Sequence, residues 1–364
     1  MPSSPSSAPQ ELIIGTYTER LPHVDGQAEG ILSCPFEAGT IGPARLLAPT
    51  RNPSFLVLRE DGRRLYVVNE TVEFEGQPGG GVTAFARDPS SGELSLLNSR
   101  PSGGVEPAHL ELDPSGRFLL VANYRSGSVA VFGLDGDGSL GPMTDHAQHE
   151  GSSVHPVRQT GPHAHMIMFD PVTGEVLVPD LGLDAVLCYE LSDEGKLSER
   201  RDRRIPAAPG AGPRHLAFHP AGGYLLVVNE LDNTIVALRR LGDGFVTSDV
   251  ASTLPAGFHG HSQAAAIRVS PSGRSVLVSN RGAESDTIAL LRFDANAGTL
   301  EPAGFTPAGG REPREFIFSA DGRYLIVAAQ DTDFLVTMEF DEEPPRLRYL
   351  SSTQVPTPVC LRFA

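Results

Sequence analysis

The sequence predicts an all-β chain folded as a seven-bladed β-propeller of four-stranded antiparallel blades, its ring closed by the N- and C-terminal strands in one blade. Three observations predict it. A unit of about 50 residues recurs along the chain. Glycine and proline, 39 and 31 in 364 residues, punctuate the entire length, as many short strands joined by turns require. The two ends of the chain carry the pieces of one further unit.

Each unit opens on Pro or a small residue and runs through an alternating apolar stretch, a turn such as Asp-Pro-Ser-Gly, and a β-rich run that usually ends on Asn. The copies read PSFLVLREDGRRLYVVNE from Pro53, PAHLELDPSGRFLLVANY from Pro107, AHMIMFDPVTGEVLVPDL from Ala164, PRHLAFHPAGGYLLVVNE from Pro213, AAAIRVSPSGRSVLVSNR from Ala264 and PREFIFSADGRYLIVAAQ from Pro313. Most continue into a third run, such as SVAVFGL or TIVALRR, and several reach a Gly-x-Leu turn that opens a fourth. A four-stranded meander of this size cannot bury both of its faces alone, so the copies must pack on one another, and radial packing makes a propeller.

The seventh unit is split. PVCLRF at the C-terminus has the character of a first strand, and ELIIGTYT, GILSCPFE and ARLLAP near the N-terminus supply the other three. Joining them removes two open sheet edges. The reading divides the chain into a disordered tail, residues 1–10, and a single propeller domain, residues 11–364. With no tryptophan in the chain, a tryptophan-aspartate repeat is excluded.

Composition narrows the partners. A formal charge of -16 repels phosphate backbones and anionic bilayers, which argues against nucleic acid and membrane surfaces. No apolar run approaches the ~18 residues of a membrane span, and MPSSPSSAPQ has neither the basic start nor the apolar stretch of a secretory signal. The odd set Cys34, Cys188 and Cys360 reads as buried free thiols of a cytoplasmic protein. Closure puts Cys34 and Cys360 on strands two apart in one blade, roughly 9–10 Å from each other and beyond disulfide reach. The sequence sets no oligomeric state.

In a propeller the first strand of each blade lines the central channel and the second returns beside it. The start of strand one and the residue just past strand two therefore meet at one mouth. Here these positions keep a spacing of 16: Ser54 and Glu70, Ala108 and Tyr124, His165 and Leu181, Arg214 and Glu230, Ala265 and Arg281, Arg314 and Gln330. Neighbouring positions are monotonously apolar, yet these gather three arginines, a histidine and two carboxylates on one rim. Such a set can bind an anion through Arg, polarise a carbonyl and move a proton through His or Glu. The bland alternatives are an Arg214–Glu230 cross-strand ion pair and structural roles for His163, His165, His109, His215, His259 and His261. Asn69, Asn123, Asn229 and Asn280 recur at one position of four blades, which suits hydrogen bonding of the blade turn rather than chemistry.

The motifs GTYT at 15–18, GPHAH at 161–165, PDLGLD at 179–184, GPRH at 212–215, VVNE at 227–230 and SNRG at 279–282 together resemble the seven-bladed propeller lactonases. That family includes propeller-type 6-phosphogluconolactonases and the carboxy-muconate cyclases, and the likeness spans nearly the whole chain. It implies a catalytic set of His165, Arg214, Glu230 and Arg281, the positions that the spacing also reaches. Ala266 departs from the family pattern, where many members carry an acidic residue.

The resemblance implies a cofactor-free hydrolase of carbohydrate metabolism, acting on a small anionic lactone such as the 6-phosphogluconolactone of the pentose phosphate pathway. Glu230 or His165 would activate water, and Arg281 with Arg214 would hold the oxyanion. Arg314 would contact phosphate, with Gln330, Glu70, Tyr124 and His163 as further substrate contacts. A muconate-type lactone cycloisomerase, and a non-catalytic propeller that binds a ligand or protein on this face, are the alternatives. Three arginines on the rim disfavour a Ca²⁺ cage, so no metal is expected. As rim charges, Glu230 and Arg281 are expected to matter little to folding, within about 0.5 kcal/mol.

Overall fold

A computed structural model describes residues 10–364. Nearly all regular structure is strand, arranged as seven small antiparallel sheets with two short hairpins outside them. The first blade is the split one. Its inner strand is Pro358–Phe363, followed outward by Gln10–Thr16 and Gly30–Glu37, with Thr40–Ile41 and Arg45–Pro49 both pairing with the latter. Gln10 already lies in a strand, opposite Phe36, so the propeller begins one residue before the boundary read from sequence. The rest of the expected tail lies outside the described residues.

The other six sheets match the six sequence repeats. Their inner strands are Leu56–Leu58, Pro107–Leu112, Met168–Phe169, Pro213–Phe218, Gln263–Val269 and Pro313–Phe318. The second strands, for example Phe118–Asn123 and Tyr224–Asn229, are buried throughout. Continuous apolar runs form there because neighbouring blades cover both faces, and the core is accordingly a series of clusters between blades. The cysteines are free and buried.

The recurring Asn position ties blade to blade. Asn69 Nδ2 donates to Arg51 O at 2.7 Å, Asn123 Nδ2 to Ser102 O at 3.2 Å and Asn280 Nδ2 to Thr253 O at 2.7 Å. Each acceptor follows the outer strand of the preceding blade. In the fourth blade the same place is held by Asp180, whose Oδ2 lies 2.6 Å from His149 Nδ1 just past the third blade.

One local feature positions the site. Strand register shifts between Pro107 and His109, Pro213 and His215, Ala264 and Ile267, and Pro313 and Glu315. A β-bulge therefore sits on or beside Ala108, Arg214, Ala265 and Arg314, the rim positions themselves. Bulges leave a residue without a cross-strand partner and re-aim its side chain. Successive residues can then both face the channel, as Arg214 and His215 do: their side chains touch at 3.1 Å, and the His215 ring lies 5.2 Å from His165 of the fourth blade.

Candidate active site

At the mouth of the channel lies a cavity of about 240 Å³, lined by His23, Glu70, Glu106, Ala108, Tyr124, Arg158, His165, Glu230, Gln263, Arg281 and Arg314. Seven of these occupy the paired positions read from the repeat: Glu70, Ala108, Tyr124, His165, Glu230, Arg281 and Arg314. Spacing alone brought them to one place because strand one and strand two of every blade return to the same end.

Glu230 is the hub. Its Oε2 accepts from Arg214 Nε at 3.0 Å and Arg281 Nη2 at 3.1 Å, and its Oε1 from Arg158 Nη2 at 2.6 Å. Burial opposes the charge on this carboxyl, but Arg281, Arg158 and Arg214 hold it down to about 2. The expectation of a solvated rim charge is thus overturned. Glu230 is 3% exposed and Arg214 1%: the bulge turns Arg214 into the channel, and Glu230 meets it there. Arg214 does not line the cavity. It lies behind Glu230, and its Nη1 also donates to Ala265 O at 2.8 Å.

A second carboxylate stands across the cavity. Glu70 accepts from Tyr17 Oη at 2.8 Å and from Ser54 Oγ, with Arg314 Nη2 at 3.7 Å. The Arg314 guanidinium also lies over the Tyr17 ring, 5.4 Å from its centroid. Glu106 is occupied from outside the cavity by Arg125 at 2.9 Å. Arg158, Arg281 and Arg314 at the cavity and Arg214 behind Glu230 thus outnumber Glu70, Glu230 and Glu312, the last acting on Arg281 and Arg314 from nearby, and the cavity keeps a net positive charge.

His165 packs edge-on to Tyr124, with ring centroids 5.2 Å apart. Its Nδ1 is buried without a hydrogen-bond partner. Burial first, and then Arg214, Arg314 and Arg281, hold the imidazole well below its ordinary value, so it is neutral at neutral pH. With Nδ1 sealed from solvent, the nitrogen that can meet the cavity is Nε2, which no described residue hydrogen-bonds; a neutral imidazole offers a lone pair there.

Two predicted contacts lie elsewhere. His163 stacks on Tyr124 at 4.7 Å and its Nδ1 meets Tyr124 O at 3.1 Å, so it supports that ring from outside the lining. Gln330 is buried in the short turn Gln330–Thr332 and donates to Asp331 Oδ1 at 2.9 Å.

Sequence reasoning missed Arg158, His23, Glu106 and Gln263. Arg158 comes from the segment between the third and fourth blades, which lies outside the repeat and so outside any spacing argument. His23 comes from the hairpin Arg20–Leu21 and Val24–Asp25, an insertion in the split blade. The available signal was in PDLGLD. Asp184 accepts from Ser153 Oγ at 2.5 Å, Gln159 Nε2 at 2.7 Å, Gly210 N at 2.6 Å and Gly212 N at 2.7 Å. It binds the segment that carries Arg158 to the loop before Arg214. Among the described residues, no group of three or more His, Cys, Asp or Glu is disposed to hold a metal ion, and no helix is long and apolar enough to cross a membrane.

Residues 11–363 match the family described as lactonase, 7-bladed beta-propeller. A 6-phosphogluconolactonase of Bacillus subtilis (strain 168) is 38% identical over 357 residues, covering 96% of this chain and 97% of that protein. One of Formosa agariphila is 30% identical over 350 residues, covering 93% and 95%. The solved structure of a periplasmic gluconolactonase from Pseudomonas aeruginosa superposes with a TM-score of 0.90 at 34% identity, covering 98% of this chain and 99% of that one. With that match over nearly its whole length, this chain belongs to the seven-bladed β-propeller lactonase family.

Proposed function

We propose that the protein hydrolyses a sugar lactone, 6-phosphogluconolactone, to the open-chain acid 6-phosphogluconate. The observation that carries this reading is a neutral, buried His165 facing a small cavity in which guanidiniums outnumber carboxylates. Such a cavity suits a small anion carrying an electrophilic carbonyl. The names of the two curated relatives agree with it, and the free buried thiols fit a cytoplasmic setting.

His165 is the general base in this reading. Water gives it a proton as the water oxygen attacks C1, and the carbonyl electron pair moves onto an oxygen held by Arg281. On collapse the bond from C1 to the ring oxygen breaks, and His165 returns the proton to that oxygen. The acid product then loses its proton to solvent. Glu230 is a poor base, since three guanidiniums occupy it and hold it ionised at about 2. Its role is to position Arg281 and Arg158, with Arg214 as the fixed strut behind it. Arg314 offers its donors to the substrate anion.

A second reading, hydrolysis of unphosphorylated gluconolactone, is favoured by the name of the Pseudomonas relative. A lactone panel with and without phosphate, assayed for acid release, tests both. A large advantage in kcat/KM for the phosphorylated lactone is expected. Preference for gluconolactone supports the second reading, and turnover of muconolactones alone overturns both.

A further inference from the structure

Arg158 differs from the other three arginines of the cavity in origin, exposure and bonding. Arg214, Arg281 and Arg314 stand at the blade repeat positions, with side chains 2%, 8% and 15% exposed, whereas Arg158 is 29% exposed and comes from the segment between blades. Its one nitrogen Nη2 serves both Tyr124 Oη, at 2.9 Å, and Glu230 Oε1, at 2.6 Å. Nε and Nη1 have no protein partner among the described residues. Glu230 does not rely on Arg158 for its place, because Arg214 and Arg281 both bind the other oxygen.

Tyr124 belongs to the third blade and Glu230 to the fifth, so Arg158 spans the mouth beside His165 of the fourth. The segment beneath it is rigidly held. His155 Nδ1 accepts from the Arg158 backbone N at 3.1 Å, and Gln159 Nε2 donates to Leu181 O at 2.8 Å and to Asp184. The guanidinium is thus presented with most of its donors open, on a fixed backbone, at the wetter edge of the cavity. A strongly hydrated phosphate dianion keeps part of its shell at such an edge, while the lactone carbonyl goes deeper to His165 and Arg281. Two open N–H groups in a rigid fork match phosphate oxygens.

We infer that Arg158 is a specificity-determining residue: it grips the phosphate of the substrate opposite Arg314 and sets the preference for a phosphorylated over a neutral lactone. The inference rests on the lactonase reading for its kinetic test but not for its binding test.

The ratio of kcat/KM for 6-phosphogluconolactone over gluconolactone is measured for the wild type, Arg158→Met and Arg158→Lys, with the thermal midpoint of each. In Arg158→Met the ratio is expected to fall roughly 10- to 100-fold, the scale of a charge-assisted hydrogen-bond pair, through KM for the phosphorylated lactone. Arg158→Lys is expected to regain part of it. An unchanged ratio, whether both rates fall together or neither falls, overturns the inference. The ratio of Kd for gluconate over 6-phosphogluconate, by titration calorimetry, separates the two claims. If the wild type turns over neither lactone yet prefers 6-phosphogluconate in an Arg158-dependent way, the assignment of Arg158 stands and the hydrolase reading falls. A wild type that binds the two acids equally overturns the assignment.

Discussion

Glu230 and Arg214 are joined by an Nε to Oε2 hydrogen bond of 3.0 Å, with side chains 4% and 2% exposed. This is a buried ion pair, and Arg281 Nη2 binds the same oxygen at 3.1 Å. Its burial changes what a substitution must do. Glu230→Gln leaves three guanidiniums facing an uncharged amide, and removing one partner of a buried pair costs about 3–5 kcal/mol. A lower melting temperature is expected along with lost activity. A midpoint within a degree of wild type shows the pair to be energetically idle.

The same pair gives a sign to the acid limb of stability. The Glu230 carboxyl titrates near 4.5 in the unfolded chain and about 2 in the folded one. As pH falls through this window the unfolded state takes up the proton first, so stability present above about pH 4.5 is lost toward pH 2. His109, His165 and His215 act in the same direction at higher pH. Burial holds each well below its ordinary 6.5, so the unfolded chain binds protons that the folded chain refuses, and stability falls below about pH 6.5. Denaturant midpoints from pH 8 to 4 are expected to decline steadily. A flat curve through pH 6.5 contradicts the buried neutral histidines.

His165→Phe keeps a ring against Tyr124 and His215 and removes only the base. A fall in kcat of roughly 100-fold or more is expected, with KM and the melting temperature close to wild type. The wild-type rate is expected to persist from pH 7 to 6, where an ordinary histidine base would lose its lone pair. Near-normal turnover by this variant removes His165 from the mechanism.

The architecture was legible because a propeller repeats. Six copies of one alternating pattern register the blades, and the two partial copies at the chain ends can only meet by closing the ring. Spacing also reached Glu70, Tyr124, His165, Glu230, Arg281 and Arg314, since the ends of strands one and two coincide in every blade. What spacing could not carry was the bulge at the rim, a backbone feature with no residue signature beyond a preceding proline in some blades. That bulge turns Arg214 inward, where it meets Glu230 in a buried rather than a solvated pair. Nor could a repeat speak for Arg158 and His23, which stand on insertions. Gln330 shares the position of Glu70 and Glu230, but the turn Gln330–Thr332 draws its amide to Asp331.

Asp184 is expected to control Arg158 from a distance. It receives four hydrogen bonds, from Ser153, Gln159, Gly210 and Gly212, and so fastens the segment that carries Arg158. Asp184→Ala leaves these donors unpaired at about 1–3 kcal/mol each where water cannot replace the carboxylate. Expected results are a lower melting temperature, new protease cleavage within residues 149–163 and a raised KM. Unaltered proteolysis together with an unaltered KM argues that the segment is held without it.

Arg281 and Arg314 test the division between chemistry and binding. Arg281 Nη2 is bound to Glu230, and no described residue hydrogen-bonds its Nη1, a donor held in place with its hydrogen-bonding capacity unused in the free protein. That is the preparation expected of a group whose partner, the oxyanion, exists only in the transition state. Arg314 donates no hydrogen bond to another described residue. It is held by the 3.7 Å ion pair to Glu70 and its seat over Tyr17, so its donors are open to a charge present in the ground state and the transition state alike. Binding both states equally lowers KM without raising kcat. Arg314→Met is therefore expected to raise KM by roughly 10- to 100-fold with a small change in kcat. Arg281→Met is expected to lower kcat by about 100-fold or more, the scale of a lost oxyanion donor. Steady-state kinetics on the two variants decides between them. A kcat loss in Arg314→Met with a pure KM effect in Arg281→Met reverses the roles, and places the reacting carbonyl on the Glu70 side of the cavity.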